Sequence, residues 1–395
     1  MSKKIVLAGA CRTAVGKFGG TLSNVPVADI GTTVVKEALK RSGVAPDQVD
    51  EVILGCVYQA GIGQNIARQI AVYSGMPISV PAFTLNNMCG SGLKAINVAA
   101  DMILAGEADV IVAGGVENMN STPYLLKNAR FGYRMRDGKL IDSLLYDGLE
   151  DTFHHYHMGI TAENVAEKYG ITRQMQDEFA LRSENNAEKA IKAGKFKEEI
   201  VPMEVKIKRN TVTFDTDEDV RFGQTIEALQ KLRPAFKQDG TVTAGNSSGI
   251  DDGGSAVIVM SEEKAKELGV KPLATWIAGD WAGVDPAYMG LGPIAATRKI
   301  MKKTGLAVKD MDLVEVNEAF AAQSIEVCRE LEFDMNKVNV NGGAIALGHP
   351  VGCSGCRIIT TLLYEMRRRK INGYGLATLC VGGGMGVATI VKMEG

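Results

Sequence analysis

The stretch Thr84-Leu-Asn-Asn-Met-Cys-Gly-Ser-Gly-Leu-Lys-Ala-Ile-Asn-Val-Ala-Ala-Asp-Met-Ile-Leu-Ala-Gly106 places a cysteine between a short strand and an amphipathic helix. Apolar residues recur at helical spacing after the Gly-Ser-Gly turn, and the last glycine is placed to end the helix. The positive end of the helix dipole favours a thiolate at Cys89. Gly90 and Gly92 are expected to leave the sulfur accessible to a bulky substrate. Cys89 is therefore a candidate nucleophile, although a lone cysteine is often a small buried apolar residue.

The composition is that of a globular protein. A chain of 395 residues exceeds one ordinary core, so two or three domains are expected, and a hydrophobic share of 46% argues against disorder. The net charge of −2 predicts no broad nucleic-acid surface. No uninterrupted apolar run reaches the ~18 residues that span a bilayer. The seven cysteines follow no secreted-type framework, and the apolar N-terminal segment is short for a signal peptide, so a cytoplasmic location is predicted.

The chain reads as two related α/β halves. Strand and helix patterns alternate in both, which predicts a largely parallel sheet. Residues 36–53 align without a gap to residues 298–315, and Gly43 pairs with Gly305. Two amphipathic helices can match by chance, but this register and a second matching strand and glycine pair favour a duplication. The predicted division is a first half at 1–117, a loop insertion over the ligand site at 118–249, a return strand at 250–272, and a second half at 273–395.

Three candidates stand in the second half. His349 lies in a glycine-rich loop before a helix, Cys380 ends a strand before a run of glycines, and Asn317 follows another strand. Because ligands bind at the carboxyl ends of parallel strands, we expect these side chains to share one rim with Cys89. Each also has an ordinary structural explanation, namely a surface histidine, a buried strand cysteine and a helix N-cap.

Four motifs resemble, in order and spacing, those of the thiolase family. They are Asn87-Met-Cys-Gly-Ser-Gly, Asn317-Glu-Ala-Phe, Gly343-Ala-Ile-Ala-Leu-Gly-His-Pro and Cys380-Val-Gly-Gly-Gly-Met-Gly, and His157-Met-Gly-Ile-Thr-Ala-Glu-Asn resembles the CoA-loop motif of the family. The resemblance covers essentially the whole chain. It implies an α/β fold of two duplicated βαβαβαββ halves, layered α-β-α-β-α, with an inserted loop domain.

The resemblance also implies an acyltransferase activity. The expected reaction is the reversible Claisen condensation of two acetyl-CoA molecules to acetoacetyl-CoA and coenzyme A, by a ping-pong mechanism through an acetyl thioester on Cys89. The alternative is a broader-chain 3-ketoacyl-CoA thiolase of fatty-acid degradation. No cofactor is expected beyond the coenzyme A thioester substrates. A homotetramer built as a dimer of dimers is expected, with the cationic and aromatic segment 127–136 joining the dimers, and no nucleic-acid or membrane partner is expected.

Catalytic roles follow from the same resemblance. Cys89 resembles the nucleophile, His349 the base that activates it, and Cys380 the second acid/base. Asn317, through a water, forms one oxyanion hole with His349. The backbone N–H groups of Cys89 and Gly382 form the other.

The resemblance places coenzyme A across the insertion. The residues expected along it are His157, Arg221, Phe236, Ala244 and Ser248, with the phenylalanine against the pantetheine arm. The residues expected around the acyl group are Met158, Met289 and Phe320. Methionine and phenylalanine would suit plain core packing equally well.

Two patterns point to other chemistry. Three histidines between His154 and His157 suggest a metal cluster, but no cysteine or carboxylate pattern completes a zinc set, so no metal is expected. Cys353-Ser-Gly-Cys356 is a C-x-x-C at positions where the family usually carries small residues. It leaves a thiol redox function open, as does a disulfide between Cys89 and Cys380. A ketoacyl synthase and a non-catalytic CoA-binding module are further alternatives.

Overall fold

The computed structural model describes residues 3–394. The strands are β1 (Ile5–Arg12), β2 (Gly16–Lys17), β3 (Glu51–Gly55), β4 (Ala82–Leu85), β5 (Val110–Asn118), β6 (Tyr124–Leu126), β7 (Leu140–Asp142), β8 (Met203–Ile207), β9 (Asn210–Phe214), β10 (Asp251–Ser261), β11 (Ala274–Gly283), β12 (Met311–Val316), β13 (Gly373–Val381) and β14 (Met385–Met393). The helices are α1 (Val27–Ser42), α2 (Ile66–Tyr73), α3 (Ser91–Ala105), α4 (Met158–Tyr169), α5 (Arg173–Lys192), α6 (Ile226–Gln230), α7 (Glu262–Leu268), α8 (Gly292–Thr304), α9 (Ala321–Glu330), α10 (Ala344–Leu347) and α11 (Val351–Arg368). The alternation of strands and helices agrees with the predicted α/β class.

One mixed sheet of ten strands runs through both halves. Its order is β12-β13-β14-β11-β1-β10-β5-β3-β4, and β2 pairs with β10. The pairs β3–β4, β3–β5 and β12–β13 are parallel, whereas the other pairs of this sheet are antiparallel, so the prediction of a largely parallel sheet was wrong. The first strands of the two halves, β1 and β11, pair with each other at the centre of the sheet. From this junction outward, β11-β14-β13-β12 mirrors β1-β10-β5-β3, and only β4 in this order has no counterpart, which confirms the duplicated architecture.

Helix ends show the duplication residue by residue. Gly43 ends α1 with φ +78°, and Gly305 ends α8 with φ +74°. Both positions require a left-handed backbone, which glycine adopts without steric cost. A one-turn 3-10 helix follows each glycine, at Pro46–Gln48 and at Val308–Asp310, and leads into β3 or β12. The gapless alignment therefore reflects two copies of one unit.

The helices and the two halves of the sheet form five layers. The outer face of the first half packs on α1 and α2, and the outer face of the second half packs on α8 and α9. Between the halves, α3 and α11 pack against each other and against the strands on both sides. A β-carbon at Gly355 would lie only 2.2 Å from the backbone nitrogen of Leu93, so glycine is required where the two helices cross.

The central position of α3 explains its hydrophobicity. Met88–Ala105 is long and apolar enough, by length and composition alone, to cross a membrane. In the fold, however, 56% of this window is buried between the two halves. A core helix of this kind passes the same test, so the segment is weak evidence for a membrane span.

The chain leaves the sheet between β5 and β10. There it forms the helices α4 and α5, and Gly170 ends the first of them. The hairpins β6–β7 and β8–β9 were not predicted. In β8, buried Met203 and Val205 alternate with exposed neighbours, so the sequence carried a strand signal there. The domain boundaries given above stay a prediction.

A buried ion network attaches this excursion to the sheet. The Arg12 guanidinium on β1 lies 2.7 Å from a carboxyl oxygen of Glu199 and 2.7 Å from one of Asp217. All three side chains are almost completely buried, so the loss of one partner would leave an uncompensated charge. The network therefore holds the insertion in place over the sheet.

Candidate active site

A cavity of about 420 Å³ lies where the two halves and the insertion meet. Cys89, His349 and Gly382 line it, at the ends of β4, α10 and β13 respectively. The residues expected along coenzyme A or around the acyl group also line it, namely His157, Met158, Arg221, Phe236, Ala244, Ser248, Met289 and Phe320. Cys380 and Asn317 are absent from the lining and completely buried. The cavity therefore collects eleven of the thirteen predicted residues, and the other two lie behind its wall.

The turn that presents Cys89 has an uncommon backbone. Met88 adopts φ +46°, which is rare for a residue with a long side chain. The Ser91 hydroxyl holds the turn, because it donates to the Met88 carbonyl at 2.6 Å and accepts the Asn87 N–H at 2.8 Å. A residue held in such a conformation by its surroundings is typical of functional turns.

Gly90 and Gly92 do not serve the purpose that the sequence suggested. A β-carbon at Gly90 would lie 2.8 Å from a methyl group of Val381. One at Gly92 would lie 2.8 Å from the backbone nitrogen of Cys356. These glycines let the cysteine turn approach the second half of the chain, and the prediction that they clear space for substrate was wrong.

The resting state of Cys89 also differs from the prediction. Burial raises the pKa of its thiol to about 11. The backbone N–H groups of Gly382 and of Cys89 itself point at the sulfur and act in the opposite direction, but they do not compensate for the loss of water. The sulfur is therefore a thiol at rest, and the expected thiolate must be generated by a base.

His349 is placed to be that base. Burial, with the nearby Arg357 cation, lowers the pKa of His349 to about 3, so its ring is neutral. Its Nδ1 lies 2.6 Å from the Ser354 hydroxyl, which donates in turn to the Pro350 carbonyl at 2.9 Å. Because a hydroxyl has one proton, a Ser354 hydroxyl that donates to Pro350 accepts the Nδ1 proton. The lone pair then lies on Nε2, 3.4 Å from the Asn317 side-chain nitrogen.

Buried carboxyl groups fix the loops around this histidine. Glu117, at the end of β5, accepts the backbone N–H groups of Val57 at 2.9 Å and Gly352 at 2.8 Å, and so ties the first half to α11. Burial raises the pKa of Glu117 to about 7. Glu318, beyond β12, accepts from Ser183 and from Ile345 at the start of α10. Glu318 therefore anchors the loop that carries the histidine.

Cys380 and Asn317 lie just beneath the cavity surface. Burial raises the pKa of the Cys380 thiol above its usual range, and the neighbouring Cys89 adds to the effect. Cys380 packs in one cluster with Met158, Met289 and Phe320. Asn317 donates its backbone N–H to Thr378 on β13, so its side chain is held at the strand end.

An aromatic wall forms the opposite side of the cavity. The His157 ring stacks on Phe236 with centroids 4.5 Å apart and an angle of 17°, and Phe320 meets Phe236 edge-on at 6.1 Å. Glycine is required at position 159, where a β-carbon would lie 2.2 Å from the Phe236 ring. Burial lowers the pKa of His157, so this wall is neutral and flat. Arg221 lies 3.4 Å from Glu184, and Lys17 is a second cation in the lining.

The other histidines and the C-x-x-C pair do not form separate sites. His154 Nδ1 lies 2.8 Å from Asp151, and His157 caps α4, so these rings do not converge. Within residues 3–394, no group of three potential metal ligands was found. Cys353 and Cys356 are free thiols that line α11 away from solvent. Burial raises the pKa of both, that of Cys356 to about 12.

Family models match nearly the whole chain. The model for the thiolase N-terminal domain matches residues 5–263, and the model for the thiolase C-terminal domain matches residues 270–393. The chain is 58% identical to an acetyl-CoA acetyltransferase of Syntrophomonas wolfei subsp. wolfei, over 99% of this chain and 100% of the relative. It is 56% identical to one of Cupriavidus necator, over 99% of each chain.

Solved structures agree in fold. The crystal structure of an acetyl-CoA acetyltransferase of Bacillus anthracis has a TM-score of 0.97, is 48% identical, and covers 99% of both chains. The crystal structure of human mitochondrial 3-ketoacyl-CoA thiolase has a TM-score of 0.96, is 43% identical, and covers 100% of this chain and 99% of the other. With its duplicated halves, its central helix pair and its cysteine–histidine cavity, this chain belongs to the thiolase family.

Proposed function

We propose that this chain catalyses the reversible condensation of two acetyl-CoA molecules to acetoacetyl-CoA and coenzyme A. The observation that carries the proposal is the meeting of Cys89, His349 and the Gly382 N–H in one cavity, with Cys380 behind its wall. The high identity to relatives named acetyl-CoA acetyltransferase favours this reaction over a broader-chain 3-ketoacyl-CoA thiolase.

The first half-reaction transfers an acetyl group to Cys89. Nε2 of His349 removes the thiol proton, and the thiolate attacks the acetyl-CoA carbonyl. The negative charge that forms on the carbonyl oxygen is stabilised by the backbone N–H groups of Cys89 and Gly382. When the C–S bond to coenzyme A breaks, His349 returns the proton to the leaving sulfur, and the acetyl thioester on Cys89 remains.

The second half-reaction forms the carbon–carbon bond. Nε2 of His349 takes the proton of the Cys380 thiol, and the resulting thiolate removes a proton from the methyl group of a second acetyl-CoA. The enolate oxygen is stabilised by His349 and by a water held by Asn317, whose Oδ1 has no hydrogen-bond partner among residues 3–394. The carbanion attacks the acetyl carbonyl, the bond to the Cys89 sulfur breaks, and the proton taken by Cys380 passes to that sulfur. His349 then returns its proton to Cys380.

The cavity walls suit the two parts of the substrate. The stacked His157 and Phe236 rings offer a flat apolar surface to the pantetheine arm, with Ala244 and Ser248 beside it. Arg221 and Lys17 supply positive charge for the phosphates of coenzyme A. Met158, Met289 and Phe320 are buried around the reacting end. Their bulk limits the room for an acyl chain and supports a short-chain substrate.

Assembly and location are part of the proposal. In the segment between β6 and β7, Phe131 and Met135 expose 88% and 87% of their surface, which is unusual for large apolar residues. This supports a homotetramer in which the segment joins two dimers. All seven cysteines are free, which supports a reducing, cytoplasmic location.

The decisive experiment measures acyl transfer and condensation separately. Incubation with radiolabelled acetyl-CoA is expected to place one acetyl group per chain on Cys89, detected by peptide mapping, and to release coenzyme A. Cys89→Ser is the matched control and is expected to take up almost no label. Stoichiometric acetylation at another residue, or no cleavage of acetoacetyl-CoA by added coenzyme A, would refute the proposal.

A further inference from the structure

Two carboxyl groups meet behind the loop that carries His349. Asp251, the first residue of β10, is completely buried, and its Oδ2 accepts the His349 backbone N–H at 2.6 Å. Its other oxygen, Oδ1, is buried and accepts no hydrogen bond within the described part of the chain. Asp219, in the segment between β9 and α6, lines the cavity, and its carboxyl group lies beside that of Asp251 against the same glycine, Gly249. Thus one oxygen of Asp251 holds the histidine loop, and the carboxyl group also contacts a second carboxyl group.

Glycines make room for this pair. A β-carbon at Gly348 would lie 2.7 Å from the carboxyl carbon of Asp251. A β-carbon at Gly249 would lie 2.2 Å from an oxygen of Asp219 and 2.9 Å from an oxygen of Asp251, so both carboxyl groups crowd the same side of that residue. The backbone thus closes tightly around the pair and leaves Asp251 little freedom to turn away.

The surrounding charges do not neutralise the pair. Asp252 on β10 binds Asn120, and Glu218 in the Asp219 segment binds Thr21. Lys17 pairs with Asp251 only through the backbone of β2, and no salt bridge to either carboxyl group is formed within residues 3–394.

Protonation of Asp251 removes the repulsion between the two carboxyl groups. Two adjacent carboxylates in a site with little water would repel each other. Burial and the neighbouring Asp219 raise the pKa of Asp251 well above its usual range. A proton on Oδ1 removes one charge and gives that oxygen a partner, because it can then be donated to Asp219.

We propose that Asp251 is a positioning residue that works as a neutral carboxylic acid, donating a proton to Asp219 through Oδ1 and holding the His349 N–H through Oδ2. The pair thereby fixes the position of the His349 loop relative to the cavity. An ionised Asp251 would still accept the N–H but would be pushed away from Asp219. The kinetic consequence rests on the proposed role of His349, whereas the protonation itself can be measured without any activity.

Asparagine is the matched replacement at this position. In Asp251→Asn, the amide oxygen can accept the His349 N–H and the amide nitrogen can donate to Asp219, so the hydrogen-bond pattern persists without a titrating proton. Asp251→Ala removes both bonds. Asp219→Asn reverses the direction of the shared bond, because its amide can donate to an ionised Asp251.

Infrared spectroscopy of the whole protein near pH 7 tests the protonation. Buried Glu117 and Glu315, whose pKa values burial raises to about 7 and about 8, absorb in the same region, so the readout is the difference between wild-type and variant spectra. We expect part of the carboxylic-acid carbonyl band to be lost in both Asp251→Asn and Asp219→Asn. A band of unchanged intensity in both variants would overturn the proposal, since Asp251 would then be ionised in the wild-type protein.

Thermal unfolding as a function of pH gives the second readout. Folded Asp251 keeps a proton that the unfolded chain releases near an ordinary aspartate pKa, so wild-type stability falls as the pH rises above that value. Asp251→Asn lacks this contribution. We therefore expect the difference between the Tm of the variant and that of the wild-type protein to increase steadily as the pH rises towards the pKa of folded Asp251. A Tm difference that does not change with pH would contradict a neutral Asp251.

Kinetics distinguish positioning from a purely structural role. A misplacement of the histidine loop is expected to lower kcat in Asp251→Ala about tenfold or more with little change in KM, and Asp251→Asn is expected to recover most of that loss. If alanine prevents folding, the two asparagine variants still carry the test. Equal damage by asparagine and alanine would overturn the proposal, whereas a failure of the proposed reaction would leave the infrared and Tm results unaffected.

Discussion

The Ser354 hydroxyl lies 2.6 Å from Nδ1 of His349 and donates its own proton to the Pro350 carbonyl. The first turn of α11 thereby selects the tautomer of the histidine that precedes the helix, because only an Nδ1–H ring can donate to an oxygen whose proton is already committed. The basic lone pair on Nε2 then faces Asn317 and the cavity. The base is thus defined by a residue that touches no substrate.

Replacing Ser354 by alanine should remove this selection. In Ser354→Ala the ring can rotate or change tautomer, and we expect kcat for acetoacetyl-CoA cleavage to fall about 10- to 100-fold with a smaller change in KM. Ser354→Thr keeps the hydroxyl and is the matched control. Steady-state kinetics with both substrates measure the difference. A kcat for the alanine variant close to that of wild type would show that the ring orientation is set elsewhere.

The resting thiol at Cys89 predicts a specific pH dependence of alkylation. Because the pKa of this thiol is raised to about 11, the thiolate fraction should rise about tenfold for each pH unit between pH 7 and 9. Iodoacetamide carries no charge, so its rate of inactivation should follow that fraction. A rate that reaches a plateau below pH 8 would instead indicate a preformed thiolate–imidazolium pair, and protection by acetyl-CoA would identify the modified site.

Sequence reasoning found the local features of this site more readily than the distant ones. The strand–turn–helix around Cys89 and the glycine ends at Gly43 and Gly305 are encoded within a few residues, so periodicity and turn chemistry suffice. The field of α3 is equally local. Its effect on the thiol was overestimated, because the burial that raises the pKa of Cys89 comes from residues far away in the chain, such as Met119, Leu144 and Val351.

Residues that act at a distance through hydrogen bonds were also missed. Asp251 and Glu117 hold the His349 loop from strands of the first half, and nothing in their own segments distinguishes them from ordinary strand-end acids. Ser354 had a usable signal, since it lies one turn into the helix that begins after the His-Pro pair. A hydroxyl at that spacing points back towards the start of its helix.

The roles proposed for Cys89 and Cys380 should separate by half-reaction. Cys380→Ser leaves the Cys89 thiol, its N–H donors and the His349 base in place, so acetylation by acetyl-CoA should continue. Serine is a far weaker acid than cysteine, so removal of the methyl proton, and with it condensation and cleavage, should fall at least about 100-fold. Acetyl incorporation and acetoacetyl-CoA turnover are measured on the same preparation. Near-normal turnover would exclude Cys380 as the second acid/base.

The exposed segment between β6 and β7 should control assembly. Exchanging the two most exposed side chains for serine, Phe131→Ser with Met135→Ser, removes apolar area that a partner would cover. We expect light scattering at micromolar concentration to show a dimer in place of a tetramer. Val212→Ser, on the exposed face of β9, is the control and should keep the tetramer. A wild-type monomer would contradict the assembly proposal outright.

The C-x-x-C pair on α11 should prove inert. Cys353 and Cys356 are 1% and 0% exposed, and burial raises the pKa of both thiols, so neither is accessible or ionised enough for rapid oxidation. The double variant Cys353→Ala with Cys356→Ala loses two sulfur atoms from the core at a cost of about 1 kcal/mol each. Ser255, which contacts Cys356 at 3.2 Å, keeps its bond to the Cys11 carbonyl.

We therefore expect this double variant to turn over like wild type and to lose activity in peroxide at the same rate. Acetyl-CoA should protect both proteins, because acetylation occupies Cys89, which is the only one of the seven cysteines that is not fully buried. Peptide mapping after oxidation identifies the modified sulfur. Marked resistance of the double variant to peroxide, or a recovered disulfide between Cys353 and Cys356, would show that α11 opens in solution and would restore a redox role for the pair.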